Sequence, residues 1–400
     1  MKKIFALMLA LCFVLTGCVI NTSPENDDEA EESEEIEENT YTSDNKTYKI
    51  GFSGPLTGAA AIYGEAIRNA AQMAVDEINE NGGLDGVKFE LIATDDKHDP
   101  TNVATNFSSM LEKGMQVSLG TVTTSPGLEF KYLAEKENLF FLTPSASGDD
   151  IPNGDNGYQM CFADGNLGKV AASYVNENCK DEKVGIFYKS DDPYSKGIYD
   201  QFMANLDKSI KPVITSFTKA NETDFNTQID TLSDCTFIFM PIYYTPASVF
   251  MKQAKEEVAA DAVYYGCDGF DGIDNIKGFD INSIPQEISM LSHFNSKAEY
   301  GMAADFVKKY TEIYGKETLN QFGASAYDCV YAIYYAMKEA KDDGENISVT
   351  ISASDLCDIL KDRFSNGFTL ENGVTGENIS WFEDGYVNKD GIKFVIKEKN

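Results

Sequence analysis

Cationic side chains are scarce. Lys and Arg total 33 against 65 Asp and Glu, a net charge of −32 over 400 residues. A surface this anionic repels phosphate backbones, which excludes nucleic acid as a partner. Histidine is nearly absent. Of the two, His98 and His293, neither stands in a nucleophile elbow, a H-E-x-x-H helix or any other pattern with a mechanism, so neither an enzyme nor a cofactor is expected. Asp95-Asp96-Lys97-His98-Asp99 could hold a metal in principle, but its place after a strand reads as a turn, and no metal is expected. Apart from Cys12 and Cys18, the cysteines are Cys161, Cys179, Cys235, Cys267, Cys329 and Cys357, with no C-x-x-C pair among them. This excludes a zinc ribbon or thioredoxin chemistry and predicts no particular bridge.

Long apolar runs are also lacking, with one exception at residues 4–15. That run follows Lys2 and Lys3 and is shorter than the roughly 20 residues a spanning helix needs, so it reads as a secretory signal. Leu15-Thr16-Gly17-Cys18 closes it and resembles the lipobox of bacterial lipoproteins. The resemblance implies cleavage after residue 17, a lipid on Cys18, and a protein held by that anchor on the extracytoplasmic face of the cell membrane. Residues 21–39 are carboxylate-rich with almost nothing apolar, which predicts a disordered, self-repelling tether over 18–46.

What is present from Tyr48 onward is a regular alternation. A buried strand leads into the Gly-, Ser-, Pro- and Thr-rich loop of Ile50–Gly64, IGFSGPLTGAAAIYG, and Tyr63 stands where a helix over 64–81 begins. Strands follow at 87–93, 115–120 and 139–142, with helices at 101–113 and 127–137 between them. A second series places strands at 183–188, 212–217, 236–240 and 262–266, with helices at 168–178, 195–206, 225–232 and 245–258. Three helices (297–314, 324–340, 354–364) and two strand patterns (379–382, 391–396) finish the chain. The expectation is an α/β protein of two parallel-sheet lobes with a ligand cleft at their strand ends, the late helices completing the first lobe.

Several stretches then carry a resemblance. Ile50-Gly51-Phe52-Ser53-Gly54-Pro55-Leu56-Thr57-Gly58, Ala74-Val75-Asp76-Glu77-Ile78-Asn79, Asn81-Gly82-Gly83, Asp99-Pro100 and Thr143-Pro144-Ser145-Ala146 are similar to the leucine/isoleucine/valine-binding protein family, the substrate-binding components of branched-chain amino acid ABC transporters. The resemblance implies the type I periplasmic binding architecture: two Rossmann-like lobes joined by three crossovers, near Asp164, Ser292 and Gly376. Lobe 1 would take 47–164 and 293–376, and lobe 2 165–292 and 377–400. It also implies a monomer that closes over an amino acid and delivers it to permease subunits.

A zwitterion needs donors for its carboxylate and an acceptor for its ammonium, because burying either charge unpaired is prohibitive. Thr123 and Thr124 follow a strand and open a helix whose Pro126 suits its first turn, a place where hydroxyls and free N–H groups meet an anion. The resemblance assigns Thr124 to the ligand carboxylate, and Ser145, Ala146 and Ser147 to the same end. For the ammonium it points to Asp268, directly after the strand at 262–266. Tyr63, Tyr194 and Tyr243 match the family's aromatic walls, with Tyr244 able to exchange with Tyr243 in the alignment. Tyr63 and the Thr-Val-Thr-Thr-Ser segment differ from the aliphatic-specific members. An amide, urea or aromatic acid as ligand, or a sensor output through a signalling receptor, therefore stays open.

Overall fold

Strand β1 (Thr47–Gly54) is buried from Tyr48 to its end, as a strand covered on both faces must be. Ile50 and Phe52 are fully inside, each contributing about 1.5–3 kcal/mol by leaving water. The computed structural model describes residues 46–399; the signal segment, Cys18 and most of the tether lie outside the described residues. Helix α1 (Ala61–Glu80) turns Ile67, Ala71, Ala74 and Ile78 onto the sheet. Its end is set by backbone proximity. Gly83, at φ +67°, donates to Ile78 O at 2.8 Å, and a Cβ there would sit 2.1 Å from Val87 O. Asn79 then pairs its amide with both backbone groups of Phe89, at 2.7 and 2.8 Å, and so covers the edge of β2 (Lys88–Asp95).

Helix α2 (Val103–Glu112), β3 (Val117–Ser118), α3 (Thr124–Lys136), β4 (Phe141–Thr143) and β5 (Gly157–Gln159) complete an all-parallel sheet in the order β2-β1-β3-β4-β5. The chain then passes to a second sheet. Helix α4 (Asp164–Asn178), β6 (Val184–Lys189), α5 (Pro193–Asn205), β7 (Val213–Phe217), α6 (Asn226–Leu232), β8 (Phe237–Met240), α7 (Tyr244–Ala254), β9 (Val263–Gly266) and β10 (Glu287–Ser292) build it. With β14 (Ile392–Lys397) at one edge its order is β14-β10-β9-β8-β6-β7, parallel except at that edge.

After β10 the chain returns. Helices α8 (Gly301–Tyr314), α9 (Gln321–Asp342) and α10 (Ala353–Ser365) pack on the first sheet's side, α9 lying along α1. Strands β11 (Thr369–Asn372), β12 (Glu377–Trp381) and β13 (Val387–Asn388) pair as a small antiparallel sheet. Only β14 (Ile392–Lys397) rejoins the second sheet, antiparallel to β10. The last passage therefore falls between Asn388 and Ile392 and not near Gly376. The reason is Trp381, whose indole donates to Gln159 O at 2.7 Å and packs on Phe364, holding β12 to the first lobe. Both sheets belong to one compact unit, 41–400. The six cysteines beyond Cys18 are buried and unpaired.

Candidate functional site

The carboxyl ends of β1, β3, β4, β6, β8 and β9 all feed one cleft, the place where open parallel sheets present loops to a ligand. From the first lobe come Tyr63, Val122, Thr123, Thr124, Ser145, Ser147 and Phe322; from the second come Tyr194, Tyr243, Asp268 and Gly269. About 10 Å³ between them is open to the centre of a water-sized sphere, room for a single water. Of the nine residues expected in the site, eight line this cavity. Ala146 does not: its N–H donates to Thr143 Oγ1 at 3.0 Å and its methyl packs with Phe130 and Ile151 in the lobe core.

Each side chain is placed by local chemistry. Gly64 lets the β1 loop fold onto α1, because a Cβ there would lie 2.2 Å from Pro55 O. Next to it Tyr63 is buried and donates its hydroxyl to Gly269 O at 2.5 Å, across the two lobes. Thr123 is the N-cap residue of α3, yet its side chain makes no cap; Thr123 Oγ1 instead meets His98 Nδ1 at 2.8 Å. Thr124 begins the helix, and its hydroxyl is buried without a hydrogen-bond partner. A helix start with an unpartnered hydroxyl suits an anion.

On the facing lobe, Asp268 is buried and accepts from Tyr194 Oη at 2.6 Å and Gly269 N at 2.9 Å. Burial pushes its carboxyl up to about 6, with the Tyr194 bond pulling the other way. At neutral pH it is ionised. Tyr243 stacks on Tyr194, centroids 4.6 Å apart at 14°, and Tyr244 instead packs edge-on against Tyr63 at 4.8 Å. Of the two, Tyr243 is the one on the cavity. Two further bonds join the lobes at the cleft: Gln321 N to Asp271 Oδ2 at 2.8 Å, and Thr245 Oγ1 to Ala59 O at 2.8 Å.

Reading the sequence missed Asp164, the first residue of α4. It is buried beside Ser147 with one carboxyl oxygen unpartnered, and burial together with the charge of Asp268 raises its carboxyl well above the usual range. Two acids that share a dry site push each other toward the protonated form in this way. Phe322, at the start of α9, was missed too; it packs edge-on to Tyr63 at 4.8 Å. Its distance in sequence from every other lining residue left no local signal, whereas Asp164 carried one, an Asp opening a helix after a strand. The carboxylates of the Asp95–Asp99 segment hold its own backbone and that of the β1 loop: Asp95 Oδ1 accepts from Leu56 N at 2.9 Å and Lys97 N at 3.0 Å, and Asp96 Oδ1 from His98 N at 2.9 Å. Among the described residues no group of three His, Cys, Asp or Glu is placed to hold a metal.

Donors at one wall, an ionised carboxylate at the other, rings between them and a pair of hinged parallel-sheet lobes define a solute-binding protein of the type I periplasmic class. Residues 47–378 match the family described as periplasmic binding protein, and the chain belongs to that family. It is 28% identical over 237 residues to a leucine-, isoleucine-, valine-, threonine- and alanine-binding protein of Pseudomonas aeruginosa, covering 58% of this chain and 62% of that one. The chain thus spans about three-fifths of the length of the curated relatives it matches. The substrate-binding protein LivJ of a branched-chain amino acid transporter of Streptococcus pneumoniae, solved with isoleucine, superposes with a TM-score of 0.75 at 26% identity, over 88% of this chain and 99% of that one. A solute-binding protein of an ABC transporter from R. palustris, solved with benzoate, shares the fold at 15% identity and a TM-score of 0.71, over 88% and 93% of the two chains. Among the described residues no helix is long and apolar enough to cross a membrane.

Proposed function

We propose that this protein captures a free amino acid between its lobes for an ABC importer. The observation that carries the reading is the opposition of Thr124 and Ser147, on one lobe, to the ionised Asp268 on the other, all lining one cavity. Thr124, with Thr123, Ser145 and Ser147, takes the ligand carboxylate; the N–H of Ala146 is committed to Thr143 and serves only to shape that turn. Asp268 takes the ammonium through a charge-assisted bond, oriented by Tyr194. Tyr63, Tyr194 and Tyr243 wall the ligand. The bonds from Tyr63 to Gly269 and from Gln321 to Asp271 hold the lobes together once it is inside. The partners in this reading are the permease subunits that receive the ligand, and the membrane, reached through a lipid on Cys18 at the extracytoplasmic face.

Thermal unfolding of residues 41–400 against the twenty amino acids, urea, short amides and benzoate tests the ligand class. Ligand at about a hundred times its Kd adds roughly 2.7 kcal/mol to stability. A rise confined to one or a few amino acids is the expected result. A rise with benzoate or an amide alone, in keeping with the likeness to the benzoate-bound protein, would keep the fold and overturn the reading of the two walls. Labelling with palmitate in cells tests the anchor: incorporation is expected in the full chain and lost in Cys18→Ala.

A further inference from the structure

A cavity of about 400 Å³ opens where the chain passes between the lobes. Phe162 before α4, Ser292 at the end of β10 and Lys389 before β14 line it, one residue from each of the three passages. Its walls come from both lobes. The second lobe supplies Leu167, Val170 and Tyr174 from α4, and the first supplies Phe382 and Val387 from the β12–β13 hairpin. None of its lining residues belongs to the cleft cavity. A space of roughly 300–1,000 Å³ between domains is the usual setting of a small-molecule site.

Two properties of the lining decide what fits. It is apolar and open to solvent: among the described residues nine large apolar side chains remain exposed, and three of them, Val170, Phe382 and Ile392, line this one cavity. It is also cationic. The lining carries Lys389 and Lys393 and no Asp or Glu, in a chain whose net charge is −32. Both ammoniums stand over rings of the wall, Lys389 Nζ 5.9 Å from the centre of Phe162 and Lys393 Nζ 5.1 Å from that of Tyr174. Lys393 also reaches Glu287 at 3.2 Å. Lys389 has no ion-pair partner among the described residues; its ammonium donates to Thr375 Oγ1 at 2.9 Å. Asp328, the acid that acts on it, spends its two carboxyl oxygens on Val374 N, Thr375 N and Thr375 Oγ1. Burial lowers the Lys389 pKa to about 8, with Asp328 pulling the other way, so at neutral pH a charged ammonium has one neutral hydroxyl as its partner. A desolvated cation in that state favours an anion.

We propose that this cavity is a second ligand site, which takes a small hydrophobic monocarboxylate with its apolar body against Val170, Phe382 and Ile392 and its carboxylate at Lys389. The site stands apart from the cleft and does not depend on which solute the cleft holds. Calorimetric titration with octanoate, and with 1-octanol, which has a tail of the same length and no charge, tests it on the wild-type protein, Val170→Glu and Lys389→Met. Val170 is exposed on α4, so a glutamate there leaves the core intact and sets a carboxylate against the anion. Lys389→Met keeps an apolar stem and removes the ammonium. Octanoate is expected to bind the wild type, 1-octanol to bind it at least about fivefold more weakly, and each variant to weaken octanoate at least about fivefold. Octanoate that fails to bind at millimolar concentration overturns the proposal. So does a difference smaller than about fivefold for 1-octanol, for Val170→Glu or for a folded Lys389→Met. Octanoate lodged in the cleft would give that result, because neither Val170 nor Lys389 lines the cleft cavity.

Discussion

Thr124 carries a buried hydroxyl that the folded chain leaves without a hydrogen-bond partner, a state that costs about 1–3 kcal/mol for a buried polar group. Thr124→Val removes the cost and the donor together. Chemical unfolding is expected to show the ligand-free variant as stable as the wild type or up to ~1 kcal/mol more so, while titration shows about tenfold weaker ligand binding. A variant that binds normally would remove Thr124 from the carboxylate wall. The acid at the other wall makes binding depend on pH. Burial raises the Asp268 carboxyl to about 6. Protonation removes the partner of the ammonium, so affinity is full above that value and falls as pH drops through it, about tenfold between pH 7 and pH 5 for one competing proton. Stability of the ligand-free protein runs the other way. A raised carboxyl pKa means the native state binds more protons than the unfolded one between about pH 4 and 6, so this group costs stability as pH rises through that window. Titrations at pH 5, 6 and 7 check the first sign, and urea midpoints at the same pH values the second.

Helix α9 shows what an element contributes to the cleft. Its N-cap, Asn320, accepts from Phe322 N and Gly323 N, each at 3.1 Å, and donates to Ile62 O at 3.2 Å, so one amide starts α9 and pins it to α1 beside Tyr63. Asn320→Ala is expected to lower unfolding stability by about 1–2 kcal/mol, measured in urea, and to weaken ligand binding through Phe322 and Tyr63. That cap also shows where sequence reading stops. Apolar spacing places the start of α9 at residue 324, because the signal for the true start is a single Asn whose partners are backbone groups. The long amphipathic helix α1 and strands β1, β2, β6 and β9 were legible, since burial on a regular period writes itself into residue type. The strands expected at 115–120 and 139–142 are present as β3 and β4, with only two and three paired residues, whereas the three residues of β5 are too few for a period and gave no strand signal. Lining residues that directly follow strands, such as Thr124 and Asp268, were legible as strand-end loops in a recognisable family pattern. Phe322 reaches the cavity only through tertiary packing. His98, set aside in sequence as neither catalytic nor metal-binding, stands edge-on against Tyr243.

At the scale of the molecule, the two lobes meet through hydrogen bonds that cross the cleft and are joined by three passages of chain, so the proposed capture of a ligand requires those bonds to open and re-form. Small-angle scattering is expected to show a smaller radius of gyration with ligand than without, and Tyr63→Phe, which deletes the bond to Gly269, is expected to diminish that change. The account turns on Asp268 holding the ammonium of an amino acid. Its most direct measurement is calorimetric titration of the wild type and Asp268→Asn with the amino acid that gives the largest thermal shift. Removing one partner of a buried charge pair costs about 2–5 kcal/mol, so the predicted result is one ligand per chain in the wild type and at least about thirtyfold weaker binding in a variant that stays folded. Equal binding by a folded Asp268→Asn would contradict the account.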